Sequence, residues 1–258
     1  MLDFESESTS DAWRAYKNDI TKVVIGENVT SVCDNAFRNC GYITEASLPS
    51  TITEIGKHAF SACTRLEKVN LPEGLLTIGD SAFANCIVLK DVAIPSTLTS
   101  LGYCPYDGCY QLENLSVAAG NTVYHSEGGC IIETAAKKVI LGSENSTIPA
   151  DGSVTVIGDS SFYTRKGLTS IVIPEGVTDI EDYAFSFCDA LETVSLPSTL
   201  EKIGYSAFSS TAIKEIVIPA SVTTLDTSIF SDCEKLVKVT LNEAITEIPE
   251  EMFDGCQA

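Results

Sequence analysis

Ten cysteines carry the richest chemistry in this 258-residue chain, and seven of them follow a regular spacing. A thiol can form a disulfide, bind a metal or act as a nucleophile. The regular seven each lie three residues after an aromatic residue at a recurring position: Cys40, Cys63, Cys86, Cys109, Cys188, Cys233 and Cys256. Arg165 and Thr211 take the same place in two further segments. A cysteine position that repeats with the aromatic pattern is typical of a core site, so we interpret these residues as free, buried thiols.

Three cysteines lie outside this spacing, and other chemistry stays open for two of them. Cys104 is close enough to Cys109 in sequence to form a bridge, and Cys130 lies near His125 and Glu127, an arrangement that loosely resembles a catalytic dyad. The chain contains no CxxC pair and only two histidines. The sequence therefore predicts no metal site and no cofactor.

Two short motifs resemble the GDS block of some serine hydrolases, namely GDSAF at 79–83 and GDSSF at 158–162. Both fall where a repeat requires a glycine, a capping residue, a small residue and an aromatic, so we interpret them as structural. Neighbouring carboxylates such as Asp179, Glu181 and Asp182 are common in so acidic a chain, and no pair is singled out for acid–base work. The motifs GxSxG, GxGxxG and HExxH and the P-loop are absent from the sequence. The sequence therefore predicts that the chain is not an enzyme.

The elements that must position these residues follow a repeat of about 23 residues, and an aromatic anchor marks each copy. The anchors are Phe37, Phe60, Phe83, Tyr106, Phe162, Phe185, Phe208, Phe230 and Phe253. Successive steps are 23, 23, 23, 56, 23, 23, 22 and 23 residues. A period in the twenties is the signature of a solenoid, in which stacked coils bury the apolar faces that a single coil cannot.

Each copy has the same internal order of residue types. In one copy Leu66 is followed by Val69 and Leu71, whose alternation predicts a short half-buried strand. Pro72 then ends the strand, because proline lacks a backbone donor. The return segment DSAFANC at 80–86 fits one helical turn. The repeat therefore predicts an α/β solenoid with a parallel sheet on one face and short helical turns on the other.

The segments LEKVNLPEGLLTIGDSAFANC and LETVSLPSTLEKIGYSAFSS resemble the BspA-like (Treponema-type) leucine-rich repeats. The resemblance covers roughly residues 20–256 and implies a curved, right-handed solenoid. It also implies a surface or secreted protein of bacteria or some protozoa, with adhesion or protein binding as its role and no catalytic motif. We expect a lead-in at 1–19 and a single leucine-rich-repeat domain at 20–258, with eight or nine coils.

The long step between anchors predicts an inserted β-hairpin near residues 118–150. Its arms are expected near Cys130–Glu133 and Lys138–Leu141, around the sequence TAAK. Because loops often carry function on rigid scaffolds, the insert is a candidate binding element, and a purely structural hairpin is the alternative.

The two ends of the array differ in sequence. Trp13, the only tryptophan, and Tyr16 precede the first strand, and we expect them to cover the open apolar edge of the first coil. No comparable segment follows Cys256. Two explanations stay open for this end: the sequence is a piece of a longer protein, or the last coil pairs with another chain.

The outward-facing strand residues, with two residues of the insert, form the predicted partner surface. These residues are Glu45, Lys68, Asp91, Asn114, Thr193, Glu215, Lys238, Tyr124 and His125. The strand rows contain no aromatic stripe on which sugars could stack, which favours a protein over a glycan as partner. They also lack the aromatic or arginine anchors that most interfaces use, so a solvated face without a ligand stays open.

The charge and the resemblance together predict the class of function. Sixteen basic and 36 acidic residues give a net charge of −20, which repels nucleic acid and anionic bilayers. No apolar run approaches the ~18 residues of a membrane helix, and the start MLDFESESTS does not read as a secretory signal. We expect a noncatalytic extracellular or cell-surface module that engages a host or surface protein. The alternative is a structural spacer with no ligand of its own; the oligomeric state is left open.

Overall fold

The computed structural model describes residues 17–257 and divides them into two compact units. Unit 1 comprises residues 17–123, and unit 2 comprises residues 124–257. In this described part of the chain every regular element is a β-strand, so no helix there could span a membrane. Trp13 and Tyr16, the predicted cap, lie outside the described residues.

The predicted strand is present in every coil of unit 1, and neighbouring copies pair in parallel except at one break. This first row consists of β1 (Lys22–Val24), β3 (Glu45–Ser47), β5 (Lys68–Val69), β7 (Asp91–Ile94) and β9 (Asn114–Val117). Its hydrogen-bonded order is β1-β3-β5 and β7-β9, with a break between β5 and β7. Alternate residues such as Val92 and Ile94 are buried, as the sequence pattern predicts. The prediction of a parallel sheet is therefore confirmed.

A second row of strands, which was not predicted, follows on another side of the unit 1 coils. It consists of β2 (Ser31–Val32), β4 (Glu54–Ile55), β6 (Thr77–Ile78) and β8 (Ser100–Leu101), and all four pair in parallel. Each strand has only two residues, of which the second is apolar; Ile55 and Ile78 are fully buried. Two residues are too short to show alternation, so periodicity alone does not detect them.

Unit 2 repeats both rows. Its first row consists of β14 (Ser170–Val172), β16 (Thr193–Ser195), β18 (Glu215–Val217) and β20 (Lys238–Thr240). Its second row consists of β13 (Val156–Ile157), β15 (Asp179–Ile180), β17 (Lys202–Ile203) and β19 (Thr224–Leu225). The second row is continuous, whereas the first is divided into the pairs β14-β16 and β18-β20.

The aromatic anchors form a stacked column inside each unit, as the repeat predicts. In unit 1 the rings of Phe37, Phe60, Phe83 and Tyr106 follow one another at centroid distances of 5.1–5.4 Å, with interplanar angles of 1–18°. In unit 2 the column runs from Phe162 to Phe253 at 5.0–6.1 Å. Full burial of one such side chain stabilises the fold by roughly 1.5–3 kcal/mol, so this column is a main source of cohesion between coils.

The return segments around the anchors are turns rather than the predicted helical turns. In the coil of Phe83, Ser81 and Asn85 have positive φ angles of 51° and 60°. The same two positions, two residues before and two after the anchor, are left-handed in every coil. A left-handed residue cannot continue a right-handed helix, so no helix forms there. The anchor amide instead bonds the next coil; for example, the N–H of Phe60 donates to the carbonyl of Ala82 at 2.7 Å.

The insert forms a three-stranded antiparallel sheet made of β10 (Tyr124–Glu127), β11 (Cys130–Glu133) and β12 (Lys138–Gly142). The two predicted arms correspond to β11 and β12, whereas β10 was not predicted. β12 then pairs in parallel with β13, so the insert forms the first layer of the second row of unit 2. Cys130, Ile132 and Val139 are fully buried in the unit 2 core. The insert is therefore part of the core rather than an external loop.

Gly142, at the end of β12, takes the place of an aromatic anchor. Its N–H donates to the carbonyl of Ser161 at 2.8 Å, the bond that an anchor makes to the following coil. A Cβ on Gly142 would lie only 2.0 Å from Cε1 of Phe162. Glycine is required here because the ring of Phe162 occupies the space that any side chain would need.

Candidate functional site

The regularly spaced cysteines form a column of hydrogen-bonded thiols beside the anchors. From Cys63 onward, the Sγ atom of each cysteine donates to the carbonyl of the preceding coil's anchor; for example, Cys63 bonds Phe37 at 3.2 Å and Cys188 bonds Phe162 at 3.1 Å. Cys86, Cys109, Cys233 and Cys256 make the same contact at 3.1–3.3 Å. All ten cysteines are free thiols. The interpretation of a ladder of free thiols is confirmed, with six of the seven buried and Cys256 half-buried, and a Cys104–Cys109 bridge is not formed.

Burial makes these thiols poor nucleophiles. Desolvation raises the pKa of Cys63 and Cys188 to about 12, and that of Cys130 to about 11. Because the thiolate is the reactive and metal-binding form, protonated thiols at neutral pH are inert in both respects. Cys130, the candidate reactive thiol, is also fully buried. Its reactivity is therefore not supported.

Arg165 and Thr211, the two residues that replace cysteine in this column, continue its hydrogen bonding. The side chain of Arg165 is buried, and its Nε donates to the carbonyl of Gly142 at 2.7 Å. The hydroxyl of Thr211 donates to the carbonyl of Phe208 at 2.9 Å and lies 3.3 Å from Sγ of Cys233. From Cys63 onward, a donor at this position therefore satisfies a backbone carbonyl in each coil: that of the preceding coil for the cysteines and Arg165, and that of its own coil for Thr211.

The remaining candidates for catalysis occupy structural positions. His125 lies opposite Ile132 in the β10–β11 pair, and its Nδ1 contacts the hydroxyl of Thr134 at 2.8 Å. Ser81 and Ser160, the serines of the GDS motifs, occupy the left-handed positions before their anchors. Within residues 17–257 no group of three or more His, Cys, Asp or Glu residues is arranged to hold a metal ion.

In unit 1, the predicted partner residues form a row that is largely satisfied by its own contacts. Glu45 and Lys68 are register partners, and an ion pair joins Glu45 to Lys22 at 3.0 Å. The hydrogen bond and charge of Lys22 lower the pKa of the Glu45 carboxyl. Asp91 accepts a hydrogen bond from Nδ2 of Asn114 at 2.7 Å. A partner would have to compete with these contacts.

In unit 2, the predicted strand residues are also exposed, but the two insert residues differ. Glu215 and Lys238 are register partners, and Thr193 faces solvent on β16. Tyr124 was predicted on the surface but is only 7% exposed, because β10 packs its side chain inward. His125 is half-buried. The structure thus retains the strand residues as a surface and removes Tyr124 from it.

A cleft of about 340 Å³ lies at the break between β16 and β18. Its lining includes Ser195, Leu196, Glu215, Val217 and Pro219. The break coincides with the one short step of the anchor series, since the coil between Phe208 and Phe230 has 22 residues instead of 23. That short step was visible in the sequence and is the signal that could have located the cleft.

Two apolar side chains flank this cleft on the strand face, by which we mean the solvent-facing side of the first strand row. Val217, on its wall, is 65% exposed, and Val172 on β14 is 67% exposed. Val172 is the register partner of Ser195, which also lines the cleft. The arrangement combines exposed apolar surface with a concave site and polar strand residues at its edge.

Solved structures of bacterial leucine-rich-repeat proteins share this fold. The pneumococcal vaccine antigen PcpA matches with a TM-score of 0.81 and 23% identity, over 93% of this chain and 64% of that one. A leucine-rich cell surface protein of Faecalibacterium prausnitzii matches with a TM-score of 0.68 and 24% identity, over 95% and 79%. A leucine-rich repeat protein of Bacteroides ovatus matches with a TM-score of 0.58 and 24% identity, over 93% and 65%. The chain therefore spans about two thirds of the length of the first and third.

No curated protein matches this chain in sequence. Six copies of the BspA type leucine rich repeat region match it, over residues 11–127 and 155–258. These ranges include every aromatic anchor and leave out most of the insert, in agreement with the geometry of the two units. The chain belongs to the BspA-type leucine-rich repeat family.

Proposed function

We propose that the chain is a noncatalytic module of a bacterial cell-surface or secreted protein, and that it binds a protein partner through the strand face of unit 2. Membership of the BspA-type family supports this role, as do the fold neighbours described as a cell surface protein and a vaccine antigen. Inert thiols and structurally placed histidine and serines give no support to an enzymatic role.

The observation that carries the proposal is the apolar surface around the cleft between β16 and β18. Val172 and Val217 leave most of their side chains in water, although the row they belong to is otherwise small and polar. Covering each valine would contribute roughly 1.5–3 kcal/mol to association. Thr193, Glu215 and Lys238 lie nearby and supply a polar rim. This combination favours a protein surface as the partner.

The test compares binding of the chain and two variants to purified host extracellular proteins on a sensor. Val172→Thr combined with Val217→Thr places hydroxyls in the patch, and we expect about tenfold or greater weakening. Val24→Thr is the matched control, because Val24 is 71% exposed on β1 of unit 1. Equal loss in both variants would contradict the proposed site. Deletion of 120–147 is unsuitable, because it removes core residues of unit 2.

A structural spacer that presents another domain is the second candidate. It is favoured by the row in unit 1, where ion pairs and hydrogen bonds already occupy the polar side chains. In that case no partner protein binds the chain. The Val172→Thr and Val217→Thr variant should then display a neighbouring domain as well as the wild type does, and this result would support the spacer role.

A further inference from the structure

The return turns around the anchors form one face of each unit, which we name the turn face. On the turn face of unit 2 lie four aromatic residues, which we name the turn-face aromatic cluster: Tyr163, Tyr183, Phe187 and Tyr205. Tyr163 contacts Tyr183 at 6.5 Å and Phe187 at 5.6 Å between ring centroids, and Tyr183 contacts Tyr205 at 5.1 Å. All three contacts are edge-to-face, at 72–88°. Stacked anchor rings cover each other's faces. In an edge-to-face contact, the ring that presents its edge has neither of its faces covered by that neighbour. Phe187 is 44% exposed, and the three tyrosines are half-buried.

The backbone under this cluster gives no structural reason for large side chains. Tyr183 and Phe187 have positive φ angles of 53° and 58°, a conformation that bulky residues rarely adopt. The corresponding positions in other coils hold mostly small or polar residues and glycine, including Asn35, Asn39, Ala62, Ser81, Asn85, Gly108, Ser160, Ser206, Ser210 and Asp232. Aromatic residues at exposed left-handed positions are strained, and such strain is found where side chains serve recognition.

Carboxylates border the cluster on one side. Asp182 accepts a hydrogen bond from the amide of Tyr205 at 2.9 Å, and Asp159 accepts one from the hydroxyl of Ser160 at 2.7 Å. Loss of solvent contact and Tyr205 raise the pKa of Tyr183, and the charges of Asp182 and Asp159 raise it further. The phenol therefore stays neutral at physiological pH, and the negative charges lie close enough to act on its ring.

Two lysines of this region already have acidic partners within the chain. Lys138 pairs with Glu181 at 2.7 Å, and Lys166 pairs with Asp189 at 2.7 Å. Asp159 and Asp182 add negative charge beside the rings, since both raise the pKa of Tyr183. The surface thus combines exposed aromatic rings with negative potential, and a cation is the ligand that satisfies both.

The chain shows the same kind of contact within unit 1. The guanidinium carbon of Arg65 lies 4.4 Å from the ring centroid of Tyr42. A guanidinium stacks on aromatic faces and also bonds carboxylates through its planar fork, whereas an ammonium group is a more strongly hydrated point charge. Arginine therefore fits the turn-face aromatic cluster better than lysine.

We propose that the turn-face aromatic cluster of unit 2 binds an arginine-bearing segment of another protein. The guanidinium lies on the exposed rings, and Asp159 and Asp182 supply the complementary charge. This site lies on residues other than those of the strand face and does not depend on the cleft between β16 and β18.

The test measures fluorescence anisotropy of a labelled Gly-Arg-Ser repeat peptide with the full chain. The variant Tyr163→Ser, Tyr183→Ser and Phe187→Asn introduces the residues found at the corresponding positions of unit 1, namely Ser61, Ser81 and Asn85. It leaves the net charge unchanged, so general attraction of a cationic peptide to an acidic chain is the same in both proteins. We expect about tenfold weaker binding by the variant.

The matched control is Tyr103→Ser in unit 1, because the amide of Tyr103 donates to Asp80 at 2.9 Å just as that of Tyr205 does to Asp182. This control should bind like the wild type. A citrulline peptide should bind the wild type weakly, and a lysine peptide should bind less tightly than the arginine peptide. If the triple variant fails to fold by thermal unfolding, Phe187→Asn alone serves, with an expected loss of about threefold.

Equal affinity of wild type and folded variant, or equal binding of the citrulline peptide, would overturn the proposal. The Val172→Thr and Val217→Thr variant separates the two proposals, since it should keep full affinity for the arginine peptide. If this variant loses binding of a partner protein but keeps binding of the arginine peptide, the loss is due to the strand face alone.

Discussion

The turn faces of the two units have the same backbone conformation but carry different side chains. In unit 1 the residues along this face are Ser61, Ser81, Asn85 and Tyr103; in unit 2 their counterparts are Tyr163, Tyr183, Phe187 and Tyr205. Both faces use left-handed residues at the same places and the same amide-to-aspartate bond at 2.9 Å. Only the tyrosine at the fourth position is common to both.

This difference separates what the repeat requires from what it leaves free. The anchors, the thiol donors and the left-handed turns must recur, because each coil shelters the apolar surface of the next. The side chains at the exposed left-handed positions, such as Asn85 and Phe187, are not part of the buried stack, so they can change without loss of it. At the corresponding positions unit 1 has the smaller Ser81 and Asn85, whereas unit 2 accepts a strain of roughly 1–2 kcal/mol at each of Tyr183 and Phe187. The proposed binding of a guanidinium would account for aromatic residues at these strained positions.

The largest expected effect comes from the anchors, where the two units should not differ. Phe83→Ala and Phe185→Ala each remove a fully buried ring that stacks on two neighbours, and each should lower the free energy of unfolding by about 3–5 kcal/mol. Urea denaturation measures both losses. A loss in one unit much smaller than in the other would show that the two cores are not equivalent.

Alkaline pH should weaken both units through their thiols, by a smaller amount. An unfolded thiol ionises near 9.0, whereas burial raises the pKa of Cys63 and Cys188 to about 12 in the folded chain. The folded state therefore holds more protons between these values, and the stability that the thiols confer is complete below pH 9 and is lost as the pH rises toward 12. At pH 10.5 the loss should be about 2 kcal/mol for each thiol.

Unfolding free energies at pH 8, 9.5 and 10.5 measure this effect. Cys63→Ala and Cys188→Ala each remove one titrating group, so each variant should show a shallower fall with pH than the wild type. An unchanged slope in both variants would contradict the assignment of the alkaline loss to buried thiols.

The smallest expected effect is an asymmetry between reciprocal substitutions on the turn face. Asn85→Phe places a large side chain at φ 60°, and Ser61 in the position of Tyr163 offers no counterpart of the contact that Phe187 makes, so stability should fall by about 1–2 kcal/mol. Phe187→Asn relieves strain but loses the contact with Tyr163, so the net change should stay within about 0.5 kcal/mol. Thermal unfolding distinguishes the two. A large destabilisation by Phe187→Asn would mean that the cluster serves the fold.

The sequence predicted the features that recur at constant spacing. The anchors, the first strand row, the thiol ladder and two strands of the insert follow from periodicity and alternation. The second strand row was not predicted, because strands such as Thr77–Ile78 are too short to show alternation of apolar and polar side chains. The turns were predicted as helical because DSAFANC has a helix-like composition, whereas the left-handed Ser81 and Asn85 exclude a helix.

The turn-face aromatic cluster could not be found by aligning the repeats. Tyr163 lies one residue after its anchor, Tyr183 two before, Phe187 two after and Tyr205 three before. The four residues thus occupy four different columns of the repeat and form no stripe in sequence. They come together only because neighbouring coils stack these columns side by side. The walls of the cleft between β16 and β18 also belong to two coils, but there the 22-residue step marks the place in the sequence.

The central claim is that the two turn faces have the same backbone conformation and differ only in their side chains. Transfer of the aromatic cluster from unit 2 to unit 1 tests this claim most directly. The chain would carry Tyr163→Ser, Tyr183→Ser and Phe187→Asn in unit 2, together with Ser61→Tyr, Ser81→Tyr and Asn85→Phe beside Tyr103 in unit 1. The measurement is its affinity for the arginine peptide, with thermal unfolding to verify the fold. We predict that binding lost from unit 2 returns to within about threefold of the wild type. A folded chain in which binding does not return would contradict the account.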